Sequence, residues 1–159
     1  MGRLALGATS AATVILALAA LTACSSGAVR DDNGDVTEGG DTDVFSLQVG
    51  DCFNDTAETE VSSVPIVPCS EAHDNEVFDE FSMPDGDYPT DDEFQAAATE
   101  QCDPVFASFI GVDYSDSDLD YAWMTPTADG WDSRSDRVVQ CIVYDPNGQV
   151  TGSLQGSNR

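Results

Sequence analysis

Cationic side chains are scarce in this chain. It has no lysine, five arginines and one histidine against 30 acidic residues, so its formal net charge is -25 at pH 7. A field this negative repels nucleic-acid phosphates and anionic lipid headgroups, which excludes nucleic acid as a partner. The absence of lysine excludes Schiff-base chemistry and a phosphate-binding loop of the usual type. The single histidine excludes metal sites built from several histidines.

The longest uncharged stretch lies at the N-terminus. Arg3 precedes Leu4–Leu21, a run without charge that ends in Leu21-Thr22-Ala23-Cys24. This order predicts a lipoprotein signal peptide over residues 1–23 and lipidation of Cys24 with a diacylglyceryl group and fatty acids such as palmitate. The alternative is an uncleaved membrane anchor, since the run nearly spans a bilayer. Both interpretations place the domain on the extracytoplasmic face, and a lipidated Cys24 would hold it to the cell membrane.

The five cysteines fit this interpretation. If Cys24 is lipidated, an even number remains for disulfides, as exported domains require. Three pairings are possible. We favour Cys102–Cys141, which would join a predicted helix to a predicted strand, with Cys52–Cys69 as the other pair. The chain-entropy model gives about 4 and about 3 kcal/mol for these two cross-links.

Residues 25–43 are rich in glycine, serine and acids and lack aromatic side chains. Such a composition favours disorder, so residues 24–43 are predicted to be the lipidated cysteine and a flexible acidic tether. A flexible segment of this length has a root-mean-square span of roughly 24 Å. The domain at residues 44–159 would then hang away from the membrane.

The domain shows strand patterns on both sides of one helix. The helix is predicted after the capping box Thr90–Glu93 and before Gly111, with a kink at Pro104 or a restart at Asp103. Apolar alternation and turn signals predict strands at Val44–Leu47, Val61–Val67, Glu76–Phe81, Leu119–Met124, Arg137–Tyr144 and, as a closing hairpin, Val150–Leu154. The expected fold is α+β, a small antiparallel sheet with one packed helix and two disulfides.

Two residues are candidates for binding a partner. His73 follows Cys69-Ser70-Glu71-Ala72, and its expected role is a structural hydrogen bond, with proton transfer or pH-dependent partner binding as alternatives. A metal site using the Cys69 thiolate would compete with the disulfide. Trp131 lies in a polar segment and is the aromatic expected to be exposed, either to contact a partner or to anchor a loop. We predict no catalytic residue, no metal ligand and no cofactor.

The acidic residues form two clusters that we expect to be solvated. The second resembles a calcium loop, but counting from Asp116 places Tyr121 and Thr127 where an EF-hand needs glycine and glutamate. A charged strand face that blocks edge-to-edge aggregation explains it better. The clusters are Asp85, Asp87, Asp91, Asp92 and Glu93, and Asp113, Asp116, Asp118 and Asp120.

Several blocks of the sequence, taken in order, resemble the septum-formation-related domain of exported and lipid-anchored proteins in Gram-positive bacteria. The resemblance runs from residue 49 to residue 154, with a departure at Ser135-Asp136-Arg137, where the family has Gly-Asp-Arg. It implies an extracytoplasmic, disulfide-bonded domain linked to division-septum formation, and it supplies no catalytic residues. The blocks are Val49-Gly50-Asp51-Cys52-Phe53, Val64–Pro68, Cys69-Ser70-Glu71-Ala72-His73-Asp74, Glu76-Val77-Phe78, the helix of Cys102, Trp131, Asp136–Cys141 and Gly152-Ser153-Leu154.

These patterns predict a non-enzymatic, lipid-anchored envelope module that binds a protein or a cell-wall component at the division septum. One alternative is an envelope hydrolase that uses carboxylates or His73. Another is a lipoprotein that binds a divalent cation or a small ligand.

Overall fold

The computed structural model of the protein describes residues 27–57 and 62–159, and it is built around a six-stranded antiparallel sheet. The helices are α1 (Asp91–Ile110) and α2 (Ala128–Arg134). The strands are β1 (Val29–Arg30), β2 (Val36–Glu38), β3 (Gly40–Asp43), β4 (Cys52–Phe53), β5 (Ser63–Val67), β6 (Ala72–His73), β7 (Asn75–Ser82), β8 (Asp120–Met124), β9 (Val138–Tyr144) and β10 (Val150–Thr151). The order across the sheet is β3-β5-β4-β7-β9-β8, and two short antiparallel pairs, β1-β2 and β6-β10, lie outside it.

Helix α1 begins at the predicted capping box. The Thr90 hydroxyl accepts a hydrogen bond from the Glu93 amide (3.3 Å), and the Glu93 carboxylate accepts one from the Thr90 amide (2.8 Å). Gly111 ends the helix with φ of 101°, a conformation that favours glycine. The predicted restart at Asp103 is wrong, because the helix continues through Pro104. A row of buried side chains at every fourth position holds it against the sheet on both sides of the proline: Phe94, Ala98, Cys102, Phe106 and Ile110.

The two faces of the sheet carry separate cores. Phe78, Cys141 and Val143 pack under α1, while Val77 and Ile142 face the other way. Side chains of the segment between β3 and β4, among them Val44 and Leu47, cover the second core. The predicted α+β class, with a helix packed on an antiparallel sheet, is therefore confirmed.

Both favoured disulfides are present. Cys102 of α1 is bonded to Cys141 of β9, with their Cα atoms 5.8 Å apart, so the cross-link fastens helix to sheet. Cys52 of β4 is bonded to Cys69, with a Cα separation of 5.2 Å. Cys69 lies two residues beyond β5, the strand that pairs with β4.

The predicted flexible tether is wrong for residues 29–43. They form β1, β2 and β3, and β3 is the edge strand of the sheet, where it pairs with β5. Backbone pairing with β5 supplies the stabilisation that the local composition lacks. The buried Asp51 carboxylate also binds the Arg30 guanidinium through two hydrogen bonds of 2.5 and 2.6 Å.

Two strand predictions also fail. Val44–Ser46 is a single 3-10 turn instead of a strand. The Asp43 carboxylate accepts a hydrogen bond from the Phe45 amide (2.9 Å), which turns the chain out of the sheet. The closing hairpin does not form, since β10 pairs with β6 and not with β9. The Gly152 amide donates to the Cys69 carbonyl (2.6 Å), which draws the C-terminal segment towards that disulfide.

The predicted signal peptide, residues 1–23, and the predicted lipidation site, Cys24, lie outside the described residues. Within residues 27–57 and 62–159, no helix is both long enough and apolar enough to cross a membrane.

Candidate functional site

A groove runs along the face of the sheet opposite α1. Its floor includes one row of cross-strand neighbours, because Gln140 of β9 pairs with Glu80 of β7 on one side and with Met124 of β8 on the other. Val138 continues the floor along β9. The groove has a volume of about 590 Å³.

The segment 44–49 forms one wall of this groove. It is held in place because the buried Gln140 side chain donates from Nε2 to the Leu47 carbonyl (3.1 Å). This wall keeps two apolar side chains in solvent, Phe45 (42% exposed) and Val49 (50%), and Val138 (38%) faces the same space. Six large hydrophobic side chains are exposed in the described part of the chain, and these are three of them.

The groove is also acidic. Glu80 and Asp136 line it, and Asp43 lies in an adjoining pocket that shares Phe45 and Asp136. The nearby cation is Arg134, whose guanidinium lies over the Phe45 ring, 4.5 Å from its centre. The result is a groove in which exposed apolar side chains lie beside carboxylates and other polar side chains.

Trp131 is not the exposed aromatic that the sequence predicts. It lies in α2 with 2% of its surface exposed, and its indole N–H donates to the Gly86 carbonyl (2.9 Å). The Arg137 guanidinium covers the ring at 3.8 Å. Tyr88 and Phe94 make edge-on ring contacts with it, so the anchoring alternative holds and direct contact with a partner is excluded by burial.

His73 is fully buried, which also removes it from direct contact with a partner. Its Nδ1 lies 2.9 Å from the Glu71 carbonyl oxygen. A carbonyl only accepts, so Nδ1 carries a proton, and in the neutral ring Nε2 then carries the lone pair. This is the structural hydrogen bond to backbone that the sequence predicts, and it leaves Nε2 without a hydrogen-bond partner.

Next to His73 lies a buried carboxylate. Glu76 is 1% exposed, and it accepts hydrogen bonds from the Ser153 hydroxyl and the Leu154 amide, both at 2.6 Å. Burial raises the pKa of the Glu76 carboxyl above its ordinary value of 4.5, and the bonds from Ser153 and Leu154 offset part of that effect.

The buried cluster also includes a disulfide. One ligand atom each from Cys52, His73 and Glu76 lie within 4.8 Å of one another. Cys52, Cys69, Glu76 and Ser153 line a second groove of about 470 Å³. Local sequence patterns do not reveal this site, because it depends on contacts between distant residues. Ser153, which binds Glu76, is 77 residues away from it in the chain.

The acidic clusters do not converge on a common point. Across residues 27–57 and 62–159, the group with ligand atoms close enough for a metal is Cys52, His73 and Glu76. Asp85 binds Arg137 (3.2 Å), and Asp120 accepts the Tyr114 hydroxyl (2.6 Å). Asp120 is the one member of the second cluster that lies in a strand, the edge strand β8.

The fold is that of a small disulfide-bonded α+β domain. Its disulfides are of the kind that form and persist in oxidising compartments. The family model described as septum formation matches residues 21–157, so the chain belongs to the septum formation family. This membership supports a division-related role at the cell envelope. Neither a curated protein nor a solved structure matched the chain.

Proposed function

We propose that this protein is a non-enzymatic, lipid-anchored module of the division septum that holds a cationic, partly apolar segment of another envelope protein in the sheet groove. The observation that carries the proposal is the groove itself. Half of the exposed large hydrophobic side chains of the described residues line it. Monomeric domains rarely gather exposed apolar surface in one place unless that surface binds something.

Charge favours a cationic partner. The groove is bordered by Glu80 and Asp136, and the whole chain carries a formal charge of -25. Such a field accelerates the approach of a basic segment and repels acidic ones, while burial of Val49 and Val138 would supply the short-range affinity. A neutral cell-wall glycan is less suited, because it carries no cation for Glu80 and Asp136 to attract.

Photo-crosslinking in dividing cells tests this partner class. A photoreactive residue would replace Val138 in the full chain, with Val29 as the matched control because it is an exposed valine outside the groove (45% exposed). We expect residue 138 to cross-link to a protein through a basic, apolar segment and residue 29 not to. Cross-links to glycan, or the same adducts at both positions, would contradict the proposal.

Lipid anchoring through Cys24 would hold the groove near the membrane surface. Only residues 25–28 separate Cys24 from β1, and four residues reach at most about 14 Å when extended. A lipidated Cys24 would therefore keep the domain close to the membrane surface. Cys24→Ser tests this, since it should abolish palmitate incorporation and release the full chain from the membrane fraction. Retention of both would contradict the lipid anchor.

The buried cluster supports the non-enzymatic part of the proposal. A serine hydrolase needs its serine to donate to the histidine that activates it. Here the Ser153 hydroxyl donates to Glu76, and His73 Nε2 has no hydrogen-bond partner. We expect the full chain to release no fragments from purified cell wall. Release that Glu76→Gln or His73→Ala abolishes would favour the hydrolase.

A further inference from the structure

The Cys52–Cys69 disulfide lies against two buried groups that metals bind. Cys52, His73 and Glu76 are 0%, 0% and 1% exposed, and one ligand atom from each lies within 4.8 Å of the others. Cys69 brings a second sulfur to the same point, because it is bonded to Cys52. Two sulfurs, an imidazole and a carboxylate therefore meet in one place.

His73 has the hydrogen bonding of a metal ligand. Metal-binding histidines almost always donate the other ring N–H to a carbonyl or carboxylate, which fixes the tautomer and orients the ring. His73 Nδ1 donates to the Glu71 carbonyl, and the lone pair of Nε2 is buried with no partner. Most buried polar atoms have a hydrogen-bond partner, so a buried Nε2 without one requires an explanation.

Glu76 is held by contacts of the same kind. The Ser153 hydroxyl binds one carboxylate oxygen and the Leu154 amide binds the other. Each oxygen keeps a further lone pair for a cation. These bonds already fix the carboxylate beside the disulfide. A cation that binds there would therefore not have to order the Glu76 side chain.

We propose that reduction of the Cys52–Cys69 disulfide creates a Zn²⁺ site from the Cys52 and Cys69 thiolates, His73 Nε2 and the Glu76 carboxylate. Two thiolates, one imidazole and one carboxylate suit Zn²⁺, which takes four such ligands in tetrahedral geometry. The oxidised disulfide provides no thiolate, so the two states of the cysteine pair would differ sharply in zinc affinity.

The reductant is a dithiol of the thiol–disulfide oxidoreductase class. Its thiolate attacks the half-buried Cys69 Sγ, which lines the second groove, and the bond to Cys52 breaks. The second thiol of the reductant then displaces Cys69, so the reductant leaves as a disulfide and two electrons and two protons pass to the cysteine pair. Zinc binding releases both thiol protons to solvent.

Zinc titration of the full chain, before and after mild reduction, tests the proposal. The measurement is competition with a chromophoric zinc chelator, and Co²⁺ substitution reports thiolate ligation by its charge-transfer absorption. Mass mapping of alkylated thiols verifies that Cys52 and Cys69 have opened while the fully buried Cys102–Cys141 pair remains closed. We expect one Zn²⁺ per reduced chain, bound at least about tenfold more tightly than by the oxidised chain.

Variants of the histidine and the carboxylate separate this site from zinc bound by thiols alone. His73→Gln and Glu76→Gln should each weaken zinc binding to the reduced chain at least about tenfold. Glu71→Gln is the matched control, because it removes an exposed carboxylate from the same loop and keeps the carbonyl that binds Nδ1. Equal affinity of the oxidised and reduced chains would overturn the proposal. Unchanged affinity in both glutamine variants would do so as well.

Discussion

Arg30 and Asp51 form a two-pronged ion pair that ties the N-terminal strands to the domain. The Arg30 side chain is 22% exposed and that of Asp51 is 4% exposed, and the hydrogen bonds from Arg30 raise the pKa of its own guanidinium. The Gln48 amide donates to the same carboxylate (2.8 Å). Residues from β1 onward therefore belong to the folded domain.

Arg30→Gln should destabilise the protein by about 2 kcal/mol, because it leaves the buried Asp51 carboxylate without its cation. Urea unfolding of the full chain at neutral pH measures the change. Arg159→Gln is the control, since Arg159 is 40% exposed and its pair with Asp145 should contribute less than about 1 kcal/mol. Equal losses in the two variants would argue against a structural role for the Arg30 pair.

Trp131→Ala should cost about 3 kcal/mol or more, because it empties the space between α1, α2 and the 83–90 loop. It also removes the ring under Arg137 and the hydrogen bond to the Gly86 carbonyl. Denaturant unfolding measures the loss. A variant as stable as the parent would contradict the anchoring role of Trp131.

The two disulfides should differ in their contribution to stability. Cys102–Cys141 closes the longer loop, with a sequence separation of 39 against 17 for Cys52–Cys69. In the chain-entropy model, removal of the first pair costs about 4 kcal/mol and removal of the second about 3 kcal/mol. Paired cysteine-to-alanine variants compared by their free energies of unfolding check this order, and a larger loss from the Cys52–Cys69 pair would contradict it.

Glu93 should make the stability of α1 depend on pH. Hydrogen bonds from the Thr90 amide and hydroxyl lower the pKa of the Glu93 carboxyl from its ordinary 4.5. A lowered folded-state pKa stabilises the protein above that ordinary value, and the benefit disappears as the pH falls through the folded-state pKa. On acidification below about pH 5, the parent chain should lose more unfolding free energy than Glu93→Gln. Glu100→Gln, at an exposed position in mid-helix, should lose as much as the parent, and equal losses in all three would rule out the cap effect.

Local sequence patterns carried enough information to predict α1, β5, β7, β8 and β9. A capping box, a buried position every fourth residue and alternating apolar residues act within a few residues of one another. The outer strands depend on distant partners. Gly40 of β3 pairs with Ile66, and Val150 of β10 pairs with His73, and nothing near Gly40 or Val150 specifies those partners.

The candidate sites were less accessible to sequence reasoning for the same reason. Trp131 lies among polar neighbours in the chain, and its burial comes from Tyr88, Phe94 and Arg137, which are brought to it by the fold. The Cys102–Cys141 pairing was predictable, because helix and strand periodicity indicated which side of each element its cysteine occupied, and Cys52–Cys69 was the pair that remained. The groove was not predictable, because its wall and its floor come from separate parts of the chain.

Groove-dependent placement at the septum is tested most directly by the position of the full chain in dividing cells when the groove is altered. Fluorescently labelled parent protein and Val29→Asp should concentrate at the septum, whereas Val138→Asp should spread evenly along the membrane, because a carboxylate replaces an exposed apolar side chain of the groove. Equal septal enrichment of all three proteins, or an even distribution of the parent, would contradict a role of the groove at the septum.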